Sequence, residues 1–141
     1  MTLQELQAVY LSYLAREGFT ARLNEDGDIV VVKVDGRTFL VFLDEEDPEF
    51  FLLAYPRFYK VESDLDRQNA LAACERVAAT VRVSKAFLRN GYAWASYEAR
   101  YTPLTGFEPI FPRALRSLRA AAAVFMDHLE ASPTPGPVAR A

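Results

Sequence analysis

Apolar positions along this chain change period several times, and each change marks an element. Leu3, Leu6, Tyr10, Tyr13 and Leu14 recur at helical spacing, which predicts an amphipathic helix of about four turns. Thr2-Leu3-Gln4-Glu5 opens it as a capping box, and Gly18 supplies the left-handed stop. Phe19 to Leu23 reads as a short strand, turned by Asn24-Glu25-Asp26-Gly27. The period then falls to two across DIVVVKVDGRTFLVFL, residues 28–43, where Asp35-Gly36 is the pair that a type I′ hairpin turn demands. A two-residue loop leaves one register: Val34 faces Arg37, Val32 faces Phe39 and Val30 faces Val41. One face of this hairpin carries Val30, Val32, Val34, Phe39, Val41 and Leu43. The other carries Ile29, Val31, Leu40 and Phe42, and turns polar only at Lys33 and Thr38. A lone hairpin cannot hide two apolar faces, so helices, a second subunit or a client must cover them.

The acidic turn Asp44-Glu45-Glu46-Asp47-Pro48-Glu49 stops that strand. Its five carboxylates have no histidine nearby and lack the Asp-x-Asp-x-Asp-Gly start of a calcium loop, so it reads as solvated. Phe50 to Lys60 is either a further strand or a strand and turn; periodicity leaves both open. Ser63 or Asp64 caps a second helix, on which Leu71, Cys74, Ala78 and Val81 form a stripe at 3, 4 and 3 spacing. Cys74 in that stripe is expected to be an inert thiol.

Val83 to Tyr101 repeats the hairpin theme around Asn90-Gly91. Phe87 is expected opposite Trp94, Leu88 opposite Ala93 and Ala86 opposite Ala95. Small residues line one face, whereas the other sets Phe87 and Trp94 among Lys85, Arg89, Tyr92, Glu98 and Arg100. An aromatic pair ringed by charge is either a partner-binding surface or a stabilising cross-strand pair kept soluble. Leu115, Leu118, Ala122, Phe125 and Leu129 predict a third amphipathic helix. Arg113, Arg116 and Arg119 lie in its N-terminal half, where the helix dipole disfavours cations. That placement calls for acidic neighbours, the 44–49 turn or a partner's carboxylates. Residues 131–141 read as a disordered tail after a single domain spanning 1–130.

Composition narrows the function classes. The 141 residues fit one domain, 51% hydrophobic and 25% charged. One cysteine and one histidine leave no internal disulfide and no His/Cys metal cluster. No stretch spells a dinucleotide fingerprint, a phosphate loop or a nucleophile elbow, so neither an enzyme nor a cofactor is expected. With no signal pattern and no apolar run of membrane-spanning length, the expected location is cytoplasmic, off the membrane. The net charge of −3 is unevenly placed: residues 1–66 carry 14 acidic against 6 basic, net −8, and residues 67–141 carry 5 against 10, net +5.

The predicted order is helix, three strands, helix, two strands, helix. That order, the Asp-Gly hairpin, the turn Asp44…Asp47-Pro48-Glu49-Phe50, and Cys74-Glu-Arg-Val running on to Val83-Ser-Lys85-Ala-Phe87-Leu88 resemble the YbjN-like proteins. That family in turn resembles the class I type III secretion chaperones in fold. The resemblance covers residues 2–130 and implies an α+β domain with a curved antiparallel sheet, dimeric and without an active site. Chaperones of this shape hold an extended client segment by strand addition and by apolar grooves. The function expected is therefore a non-enzymatic, chaperone-like or regulatory homodimer that holds an extended segment of a partner protein. Phe87, Arg89, Tyr92, Trp94 and Arg100 are expected to contact the client or the second subunit. The alternative is a single-stranded nucleic-acid binder, since aromatics interleaved with cations suit stacking and phosphate contact.

Overall fold

The capping box closes as the first residues dictate. The Glu5 amide donates to Thr2 Oγ1 at 3.1 Å, and the Thr2 amide donates to Glu5 Oε1 at 2.8 Å. The helix they start, α1 (Leu3–Arg16), ends where Gly18 takes φ +83°. The computed structural model describes residues 1–131. After α1 come β1 (Thr20–Leu23), β2 (Ile29–Val34), β3 (Arg37–Phe42) and β4 (Phe50–Lys60). Helix α2 (Asp64–Thr80), β5 (Lys85–Arg89), β6 (Tyr92–Arg100), a 3-10 turn at Leu104–Phe107 and α3 (Phe111–Ala131) complete the chain. The tail expected from 131 falls, past Ala131, outside the described residues.

The six strands form one curved antiparallel sheet in the order β1-β2-β3-β4-β6-β5. Both hairpins take the expected registers, Val32 opposite Phe39 and Phe87 opposite Trp94. Their turns need two consecutive left-handed residues, and Asp35, Gly36, Asn90 and Gly91 all have positive φ. Residues 50–60, left open by periodicity, are the long strand that joins the two hairpins. A bulge between Tyr55 and Tyr59 breaks its alternation. There Arg57 adopts φ +46°, and Pro56 sits where no ladder hydrogen bond is required of it.

All three helices lie on one face of the sheet. Val30, Val32, Phe39, Val41, Phe51 and Leu53 point into that layer and are fully buried. Each contributes about 1.5–3 kcal/mol by leaving water. Ala93 and Ala95 on the same face let the helices approach closely. Phe51 is the hub of an aromatic cluster with Tyr10, Tyr97, Phe107 and Phe111, and Tyr10 stacks on Phe107 at 4.2 Å.

Two expectations from the sequence are corrected. The buried face of α2 is Ala70, Ala73 and Val77, not the stripe of Leu71, Cys74, Ala78 and Val81. Three small residues pack closely against β5 and α3, while Leu71 stands 47% exposed and Ala78 faces solvent. Cys74 lies half-buried beside that face, and burial pushes its thiol up, consistent with an inert role. The second correction concerns the α3 arginines. Arg119 finds its acid not in the 44–49 turn but at the first hairpin tip, pairing with Asp35 at 2.8 Å. The 44–49 turn serves other groups: Glu45 accepts from the Leu3 amide and Asp47 pairs with Arg100.

Candidate functional site

With the helices on one face, the alternate residues of every strand are left on the other. Register places Phe42 beside Leu52, Leu52 beside Glu98, Ala54 beside Ser96, and Phe87 beside Trp94 across neighbouring strands. These side chains line a groove of about 460 Å³, whose walls also include Lys85 and Arg89. The five residues expected to bind a partner all lie on this uncovered face. Phe87 and Trp94 stack at 6.4 Å between ring centres, with 19° between their planes, and both are half-buried. The Arg89 guanidinium lies 5.7 Å from the centre of the Trp94 ring. Tyr92 stands opposite Arg89 in the ladder. Arg100, at the far end of β6, is held by Asp47 and lies 5.4 Å over the Phe50 ring, so it belongs to a separate cluster at the edge of the face.

Sequence reading missed several members of this site. Phe42 and Leu52 form part of the groove wall, and Ser96 lies within it. Ser96 is only 3% exposed, and its hydroxyl has no hydrogen-bond partner among the described residues. The alternation of β3 could have placed Phe42 and that of β6 Ser96, but Leu52 required knowing that β4 inserts between the hairpins.

The face has a charge of its own. Its strand residues include Arg22, Lys33, Lys60, Lys85, Arg89 and Arg100 against Glu98, a net of +5 on a chain of net −3. Lys85 pairs with Glu98 at 3.2 Å, Arg100 with Asp47, and Lys60 with Glu62 at 3.8 Å. Arg22, Lys33 and Arg89 have no acidic partner among the described residues. Chemically the arrangement offers apolar and aromatic contact with positive charge around it. Among the described residues, no three His, Cys, Asp or Glu side chains gather to hold a metal ion, and no helix is long and apolar enough to cross a membrane.

Comparison with known proteins adds a likeness in shape. No protein-family model matches the chain, and no curated protein matches it. Among solved structures it is similar to a chain of the HopA1–SchA chaperone–effector complex, with a TM-score of 0.57 and 15% sequence identity. The alignment covers 89% of this chain and 96% of that one. At that identity the shared feature is the fold, an α+β arrangement of one antiparallel sheet with helices packed on it.

Proposed function

We propose that this protein is a non-enzymatic, chaperone-like binding module of the cytoplasm, akin to the YbjN-like proteins, which holds an extended segment of a partner protein on its uncovered sheet face. The observation that carries this reading is the groove itself. Half-buried Phe87 and Trp94, with Phe42 and Leu52, form an apolar floor that no helix among the described residues covers. Phe87, Trp94, Tyr92 and Arg89 make the contacts, and Arg100 bounds the face. The similarity in fold to a chain of a chaperone–effector complex supports a protein as the occupant.

The module works as a homodimer through α2 rather than through the open face. Two open faces set against each other would bring like charge to like, at a cost in affinity. The outer side of α2 instead presents exposed Leu71, Ala72 and Ala78 between charges of both signs, Asp64 and Arg67 at one end and Glu75 and Arg76 further along. An antiparallel second copy would meet opposite charge along that helix. Light scattering at micromolar concentration is expected to show a dimer that Leu71→Glu converts to monomer; a monomeric wild type removes the dimer.

A second reading rests on the same aromatics. A cross-strand aromatic pair with cations on an open sheet face also suits single-stranded nucleic acid. The experiment that separates the two is capture from the source lysate, with and without nuclease, by wild type and by a folded Phe87→Ser/Trp94→Ser variant. A protein kept after nuclease and lost in the variant supports the first reading. Nucleic acid alone in the untreated eluate supports the second, and an empty eluate removes both.

A further inference from the structure

The uncovered face is basic on an acidic molecule. Its net +5 leaves −8 for the remainder of the sequence. This separation does not follow the two halves of the chain, because Arg22, Lys33 and Lys60 come from the acidic first half. The fold gathers cations from β1, β2, β4, β5 and β6 onto one surface. Three of them, Arg22, Lys33 and Arg89, have no acidic partner among the described residues, and they lie on β1, β2 and β5, so the unneutralised charge extends from one sheet edge to the other. From β3 to β5 runs the groove, apolar but for Arg89, the Lys85–Glu98 pair and the buried Ser96 hydroxyl, which has no hydrogen-bond partner among the described residues.

Resting on the protein-binding reading above, we infer that the segment held on this face is acidic and anchors an aromatic side chain in the groove. The anchor packs against Phe87, Trp94, Phe42 and Leu52. Polar backbone or side-chain atoms beside it complete the hydrogen bonding of Ser96, which is otherwise a buried group left unsatisfied. Carboxylates on either side of the anchor meet Arg89 at one edge of the sheet, and Lys33 and Arg22 towards the other. This complementarity selects an acidic partner over a basic one and repels a second copy of the same face. A basic or neutral apolar segment would fill the groove yet leave these cations without partners.

Trp94 is the single tryptophan and lines the groove, so its emission reports occupancy directly. The test titrates the full-length protein with two synthetic twelve-residue peptides of serine, two phenylalanines and either glutamates or lysines in matched positions. A phosphate-backbone probe, oligothymidylate, is titrated alongside. The glutamate peptide is expected to shift Trp94 emission and to bind about tenfold more tightly than the lysine peptide at low salt, an advantage that shrinks as salt screens it. Lys33→Glu/Arg89→Glu, shown folded by circular dichroism, is expected to lose that preference. Equal binding of the two peptides, or tighter binding of the lysine peptide, overturns the acidic assignment while leaving a protein-binding face. Should neither peptide move Trp94, both the assignment and the reading beneath it fail, whether or not oligothymidylate binds.

Discussion

The two faces of this sheet are built from neighbouring residues of the same strands, yet the helices cover only one of them. In β3, Phe39 and Val41 are fully buried under the helices, while Leu40 and Phe42, which alternate with them, remain half-buried on the open side. In β6, Ala93 and Ala95 alternate with Trp94 and Ser96. On the closed face the second hairpin is small, and α3 fills the space with Leu118 and Phe125. On the open face the same hairpin is large, aromatic and charged, with no other element among the described residues laid over it. Apolar character alone does not distinguish the covered face from the open one; side-chain size and the placement of charge do.

The sharpest way to break this contrast lies in one strand. Phe39→Ala should cost about 3–5 kcal/mol in urea denaturation, since it hollows a fully buried site. Phe42→Ala, three residues along and on the opposite face, should cost roughly 1 kcal/mol, because the side chain is only partly withdrawn from water. Equal costs for the two would mean that both faces are core. Between them in size stands Gly106→Ala beneath the aromatic cluster, where an added Cβ would lie 2.9 Å from Tyr101 Cβ. A loss of about 1–3 kcal/mol is expected from such overpacking, read as a fall in denaturation midpoint.

A smaller effect comes with pH. Tyr59 donates to the Asp66 carboxylate, and that hydrogen bond, helped by burial, pushes its phenol up to about 12. Burial and a hydrogen bond with Tyr97 raise Tyr101 likewise to about 12. In the unfolded chain both ionise near the ordinary phenol value of 10.0, so above that pH the folded state binds more protons than the unfolded one. The stabilisation they supply is complete below pH 10 and is lost as pH climbs towards 12. Tyr59→Phe should flatten the fall in midpoint over that window, whereas an unchanged slope would remove Tyr59 from the account.

Much of the closed face was legible in the sequence. A two-residue Asp-Gly or Asn-Gly loop leaves one register, so both hairpins and their faces followed from alternation. Thr2, Gly18 and Ser63 marked helix ends because their capping chemistry is local. The rest depended on contacts distant in sequence. Pro56 and the bulge at Arg57 interrupt the period of β4, so alternation could not extend the strand through them. Helix α2 offers apolar residues on more than one side, and its alanines bury as readily as its leucine, so spacing pointed to the wrong stripe. The five candidate residues were found because Phe87 and Trp94 face each other across a predictable turn. Ser96, two residues from Trp94 on β6, lay within reach of the same alternation, whereas Phe42 and Leu52 come from strands that only the sheet order brings beside it. The basic character of the open face was equally hidden, because its cations are scattered among oppositely charged stretches.

The central claim is that the Phe87/Trp94 groove exists for binding and not for folding. It is tested most directly by the urea denaturation midpoint of Phe87→Ser/Trp94→Ser, followed by far-UV circular dichroism because the variant lacks tryptophan. A half-buried cross-strand pair beside an open groove should cost no more than about 2 kcal/mol, leaving a cooperative fold. A loss matching that of Phe39→Ala, or no folded protein at all, would contradict the account and return the pair to the core.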